Sequence, residues 1–325
     1  MSSLQRQNGQ PQARAPFNHS TADLILRASD DVAFYVRTGI LAESSPVFYD
    51  MFALSTKVSV AADPSEAKAA SDTTPSSPAS SPTVLEVPEN SDTLDALLRI
   101  CYPIPNPTFH ESNALKPVLA AAHKYQMEIV LATLGTRLTE FAQDMPLRVY
   151  AIAIRYDMDT LARSAACLFL RHHWDPAGGR FAELDDISGS AYHCLLAYRR
   201  KCADTLANMC SGLGWLPDSR WTFMQCDDCK REPLTPSFQL GDSDVKKKPV
   251  NWFWQYYQRI AIRLQDTPCE EALDDVLLVT QPVRVAVNCG TCRSTSFEHM
   301  LRFVLEMKRE VNRRVSEVSE SELQV

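Results

Sequence analysis

The clearest pattern of apolar and polar positions lies in residues 22–54. Leu24, Ile25 and Leu26 form a short apolar run, closed by the polar Ser29, Asp30 and Asp31. Val32, Phe34 and Val36 then alternate with Ala33, Tyr35 and Arg37. Period-two alternation around a polar turn predicts two short strands in a hairpin. Ile40 and Leu41 come next, followed by Ser45 and Pro46. A serine oxygen can accept from a first-turn N–H, and proline lacks the N–H that a helix start leaves unused, so this pair reads as N-cap and first helical residue. Val47, Phe48, Met51 and Phe52 fall on one face of that helix.

Beyond Leu54 the pattern collapses. Residues 55–82 are mostly Ser, Thr, Pro and Ala, a low-complexity insertion with too little apolar area to order itself. Residues 83–87 resume as a strand. Ser91 or Asp92 caps a helix with Leu94, Leu97, Leu98 and Cys101 on one face, ended by Pro103 and Pro105. Residues 113–141 read as two helices, one striped by Val118, Leu119, Ala122 and Tyr125. Met127, Val130, Leu131, Leu134, Leu138 and Phe141 stripe the other. Helical patterning continues through Leu147, Tyr150 and Ile154, then Leu161, Ala165 and Leu168. Residues 175–179 break it, and a long helix over 188–210 ends at Gly212 and Gly214. Two more helices are predicted, over 252–264 and 295–318. The last has Phe297, Leu301, Val304, Val311, Val315 and Val318 at 4-3 spacing, interrupted by Lys308. That pattern is open to a coiled-coil seam or to packing on the chain itself.

Hairpin, short helix and capped amphipathic helix resemble the opening of a BTB/POZ domain. That family reads roughly D-V-x-L, F-x-V-H-K-x-x-L and S-x-x-F-x-x-M-F. This chain has Asp23, Leu24, Ile25 and Leu26; Phe34, Tyr35, Val36 and Leu41; and Ser45 through Phe52 with Phe48 and Met51 in register. It departs at Arg37 and Thr38, where the family usually has His-Lys. Tyr102-Pro103 matches the family's exit from its capped helix. Ala121, Ala122, Lys124 and Tyr125 resemble its A-A-x-K-Y motif, especially that of fungal members. The resemblance implies an α+β fold: a BTB/POZ-like N-terminal domain followed by mostly helical C-terminal regions. It also implies protein partners through that domain, by self-association or on a cullin-type ubiquitin-ligase scaffold. Tyr35 and Tyr49 are its exposed-aromatic candidates. The expected organisation is a disordered tail over 1–20 and a BTB/POZ-like domain over 21–141 with its insertion at 55–82. A helical extension over 142–214, positioned like the BACK region of BTB proteins, and a Cys-rich helical region over 215–325 follow.

Composition adds little to the fold and more to the chemistry. The chain has 325 residues, 45% of them hydrophobic and 22% charged, as in ordinary globular proteins. A net charge of −7 argues against a general binder of nucleic acid or membrane surfaces. No apolar run is long enough to span a bilayer, and the polar N-terminus has no secretory h-region. The expected location is therefore the cytosol or nucleus, where the 10 cysteines stay reduced or ligate metal.

Two C-x-x-C pairs are the sharpest chemical signal: Cys226 with Cys229, and Cys289 with Cys292. This spacing turns two thiolates onto one ion, and two pairs complete a tetrahedral structural Zn²⁺ site. Gly290 is expected to ease the second turn, and His299 is a spare ligand candidate. Residues 230–288 form a longer gap than a zinc ribbon has, so a helical insert must bring the pairs together. A redox role is opposed by Asp227 and Asp228, whose charge raises a neighbouring thiol pKa. Cys167, Cys194, Cys202 and Cys210 read as small buried hydrophobes in helices. His172 and His173 are adjacent and point apart on a helix, which favours a helix-end role over a metal pair. Lys246, Lys247 and Lys248 read as a solvated turn ahead of an aromatic helix. No phosphate loop, dinucleotide turn or metalloprotease motif is present. The reading is a non-enzymatic protein-interaction module, an adaptor or scaffold. The alternative is a zinc-dependent transcriptional regulator binding nucleic acid, which the two aspartates inside the first knuckle oppose.

Overall fold

The computed structural model describes residues 5–7, 10–19, 21–60, 82–175, 181–217, 220–231 and 233–323. The chain divides into two compact units, Met1–Phe141 and Ala142–Val325.

The first unit is built on a five-stranded sheet of β1 (Gln5–Gln7), β2 (Gln10–Gln12), β3 (Leu24–Arg27), β4 (Ala33–Val36) and β5 (Thr83–Glu86). Their spatial order is β1-β2-β4-β3-β5. The predicted hairpin is β3–β4, paired antiparallel with Leu24 opposite Val36 and Leu26 opposite Phe34, all four buried. Asp31 takes φ 64° in its turn, a left-handed position that a short polar side chain tolerates. β5 joins β3 in parallel, which requires a crossover. That crossover contains α1 (Thr38–Ser44) and α2 (Pro46–Val60). The insertion expected from residue 55 thus begins inside α2; its residues 61–81 lie outside the described residues.

Three further helices complete this unit: α3 (Ser91–Cys101), α4 (Ser112–Lys124) and α5 (Glu128–Ala142). The predicted stripes are its core: Leu94, Leu97 and Leu98 on α3, Val118, Leu119 and Ala122 on α4, and Val130, Leu134 and Leu138 on α5 are all buried. The cap of α3 is Asn90, not Ser91 or Asp92; its Oδ1 accepts from the Thr93 N–H at 2.9 Å. Ser91 is the first helical residue instead, where its N–H and hydroxyl both donate to Asp30 of the hairpin turn. A carboxylate there also faces the positive end of the helix dipole.

The N-terminal stretch expected to be disordered is ordered where it is described. Phe17 is fully buried, with ring contacts to Phe34 at 6.0 Å and Tyr102 at 5.3 Å. The Ala13 N–H donates to the Ala33 carbonyl and the Tyr35 N–H to the Phe17 carbonyl, each at 2.9 Å. One aromatic anchor in a polar run has no periodicity to betray it.

The second unit is helical: α6 (Pro146–Arg155), α7 (Asp159–Phe169), α8 (Gly189–Cys210), α9 (Thr222–Gln225), α10 (Asn251–Asp266), α11 (Val276–Ala286) and α12 (Ser296–Glu322). α6 packs on α7, and α8 packs on both α10 and α12. Through α8, the helical stretch before residue 214 packs on the Cys-rich region after it, within one compact unit. Aromatic rings fill its core: Phe223 stacks on Phe253 at 3.8 Å, and Phe303 of α12 meets Phe253 edge-on at 5.0 Å. The inward face of α12 is Met300, Phe303, Val304, Met307, Val311 and Val318. Phe297 and Leu301 of the expected seam are exposed instead. The methionines and Phe303 displace them because α12 packs around a ring cluster rather than against a single parallel helix.

Candidate metal centre

The two C-x-x-C pairs come together. The sulfur atoms of Cys226, Cys229, Cys289 and Cys292 all lie within 4.8 Å of one another. Across the pairs, Cys226 and Cys289 are 3.6 Å apart, as are Cys229 and Cys292. A disulfide requires about 2.05 Å, so these are thiols. Tetrahedral Zn–S bonds of about 2.3 Å put sulfurs about 3.8 Å apart. The spacing and the all-sulfur donor set therefore suit a tetrahedral ion.

Local structure explains the convergence. The first knuckle leaves the end of α9, where the Cys226 N–H donates to the Thr222 carbonyl. It is fastened to the start of α10 by the Asn251 N–H on the Lys230 carbonyl at 2.9 Å. The second knuckle follows α11, with the Cys289 N–H on the Ala286 carbonyl at 3.0 Å, and it runs into α12 through the Ser296 N–H on the Cys292 carbonyl at 2.9 Å. The helices α10 and α11 are the insert that the long spacing required. Thr291 donates to Asp228 at 2.5 Å, joining the two knuckles through their third positions. Asp227 pairs with Arg231 at 3.8 Å. Gly290 is not demanded by its turn: a Cβ there would meet open space, and its φ is not in the left-handed region.

Electrostatics set Cys289 apart from Cys229 and Cys292. The Cys292 backbone N–H aimed at the Cys289 sulfur is the main reason its pKa falls to about 7, and the Thr291 N–H adds to it. Burial pushes Cys229 and Cys292 up, and the neighbouring sulfurs add to the rise in Cys292. Cys229 and Cys292 therefore resist ionising unless a cation joins them.

The other singled-out residues serve structure. His299 is not among the gathered ligands: its Nδ1 accepts from the Thr222 N–H at 2.9 Å. Burial lowers its pKa, in keeping with a neutral acceptor. His172 bonds the Gln143 carbonyl, and His173 pairs with Asp266 at 2.6 Å. Lys247 pairs its backbone with Phe238, and Lys248 donates to the Pro233 carbonyl. Cys202 and Cys210 are buried, their thiols pushed up to about 12 by desolvation. Cys167 and Cys194, expected to be buried, are exposed on α7 and α8.

In the first unit the A-A-x-K-Y segment acts as a clamp. Lys124 and the Tyr125 hydroxyl both reach Glu89, at 2.8 and 2.7 Å, while Tyr125 stacks on Phe48 at 4.6 Å. Buried Ser45 accepts from the Phe48 N–H at 3.1 Å, the predicted cap, and donates to the Tyr125 carbonyl at 2.5 Å. Sequence reasoning found the cap but had no signal for its second bond, to a residue distant in sequence. Tyr49 and Leu54 of α2 and Ile129 of α5 are left more than half exposed, whereas Tyr35 is half-buried.

The family model of the BTB/POZ domain matches residues 14–142. No curated protein matches the chain. Among the described residues no helix is long and apolar enough to cross a membrane.

Proposed function

We propose that this chain, whose residues 14–142 are a BTB/POZ domain, is a non-enzymatic adaptor or scaffold of the cytosol or nucleus. A BTB/POZ domain is a protein-interaction domain, and the match over 14–142 is the observation that carries the reading. Self-association and a cullin-type scaffold are the proposed modes. The exposed Tyr49, Leu54 and Ile129 are apolar groups of the kind that protein interfaces cover. Affinity purification from source cells, with and without residues 22–141, tests it. Partners are expected to be recovered with the full chain and lost on deletion; equal recovery from both sinks the proposal.

In the same reading Cys226, Cys229, Cys289 and Cys292 hold one structural Zn²⁺. The support is the gathering of four sulfurs within 4.8 Å. Four thiolates leave no position for water, so the ion braces the fold rather than catalysing. Metal analysis of the purified protein is expected to give about one zinc per chain, and Cys289→Ser is expected to release it. A protein without metal, unchanged in protease resistance by chelator, would contradict the site.

A further inference from the structure

The second unit has a cleft of about 470 Å³ that neither the BTB/POZ domain nor the cysteine cluster uses. Its walls are aromatic. Phe169, Trp174, Phe181 and Tyr192 all line it. Trp174 stands edge-on to Phe169 at 5.7 Å and 67°, and to Tyr192 at 6.3 Å and 74°. Successive rings near right angles form the sides of a box. Phe169 is buried, while Trp174, Phe181 and Tyr192 are half-buried and keep open ring area. Phe181 already meets one cation, the Arg148 guanidinium at 5.9 Å.

The charges bias the cleft toward cations. The exposed Asp144 lines it. Among the described residues that line it, Arg148 is matched by buried Glu183 at 2.7 Å, and His173 is paired with Asp266. Ring faces carry negative potential and attract ammonium and guanidinium groups within about 6 Å. Aromatic walls alone would admit any apolar side chain; the acidic bias selects a positive one. The volume lies within the range of roughly 300–1,000 Å³ for built ligand sites.

We propose that this cleft binds a basic side chain of a partner polypeptide, a guanidinium or an ammonium in plain or methylated form. The probe is a short peptide centred on trimethyl-lysine, titrated into the full chain while the Trp174 indole N–H is followed by NMR and assigned with Trp174→Phe. A control peptide replaces the quaternary nitrogen by carbon, keeping shape and removing charge. Saturable binding of the cationic peptide is expected, with the neutral isostere weaker by roughly 3- to 30-fold, the range of a cation–ring contact. Asp144→Asn, an exposed change that leaves the core alone, is expected to weaken the cationic peptide several-fold and the isostere not at all. Equal affinity for both peptides overturns the proposal, as does the absence of saturable binding. Free tetramethylammonium binding as tightly as the peptide overturns the assignment to a polypeptide.

Discussion

Two single residues hold more of this structure than their chemistry suggests. Ser45 uses its one hydroxyl twice, accepting from the first turn of α2 and donating to the Tyr125 carbonyl. Ser45→Ala removes a cap, typically about 1 kcal/mol, and strands a buried carbonyl. The expected loss is roughly 2–3 kcal/mol, read as a lower denaturant midpoint for the first unit; a loss within error means the site relaxes around alanine. Arg199 is buried, and among the described residues no carboxylate is bonded to it. Its guanidinium instead donates to the carbonyls of Phe169, His172 and Asp266, at the ends of α7 and α10. Helix C-termini are negative poles with unpaired carbonyls, so the cation satisfies both. Arg199→Met is expected to destabilise the second unit by roughly 2–3 kcal/mol, because one buried and two partly buried carbonyls lose their donor. Arg199→Lys is expected to recover only part, since an ammonium cannot reproduce the planar fork. Full recovery by lysine would mean that charge alone matters.

At the scale of elements, the sequence was readable wherever one face of a helix meets one core. Most stripe positions of α3, α4 and α5 are buried, with Cys101, Leu131 and Phe141 partly exposed, and the predicted start of α8 at Ser188 is its cap, accepting from the Ala191 N–H. Legibility failed where packing, not periodicity, decides. Phe17 docks alone, and α12 turns Met300, Phe303 and Met307 inward because a ring cluster awaits them. The paired C-x-x-C spacing pointed to the gathered cysteines, but the aromatic cleft, assembled from irregularly spaced rings between Phe169 and Tyr192, left no motif. Helix ends were also obscured by missing glycines. α4 and α6 both close with a left-handed residue, Gln126 at φ 52° and Asp157 at φ 53°. In each, the next N–H reaches back to the last turn: Met127 to the Ala122 carbonyl at 2.8 Å and Met158 to Ala153 at 2.9 Å. Glycine adopts that conformation without steric cost. Gln126→Gly and Asp157→Gly are each expected to stabilise by roughly 0.5–1 kcal/mol, once the looser unfolded chain is offset. A fall in melting temperature would show that the side chains contribute more than the backbone strain removes. On α12, Glu310 is held below the usual carboxylate range, first by Arg313 and then by Arg314. A carboxylate depressed in the folded state stabilises above its unfolded pKa and loses that stability as pH falls through the folded value. The network is partly exposed, so the gain is roughly 0.5–1 kcal/mol. Wild type should therefore exceed Glu310→Gln at pH 7 by about that much, with the gap closing below about pH 4. A gap independent of pH would assign the effect to packing.

For the whole molecule, the decisive point is that the cysteine cluster sits in only one of two compact units. Each unit has its own core: aliphatic side chains over a sheet in the first, stacked rings in the second. Binding a structural ion to a folded site adds to folding energy, and in small zinc peptides nearly all of it is supplied this way. Here the ring cluster shares the task, so chelation is expected to loosen the second unit rather than unfold it. The loosening has a definite reach. Both knuckles are tied to α9, α10, α11 and α12, and α8 packs on α10 and α12. Hydrogen exchange should therefore accelerate with chelator over 188–210 as well as beyond residue 215, while residues 22–54 and 83–141 keep their protection. Cys289→Ser should reproduce the same map without chelator, since it removes one ligand and leaves the ring core intact. Acceleration confined to the knuckles would show that packing alone fixes α8, α10 and α12. Acceleration through the BTB/POZ domain as well would show that the two units do not fold independently.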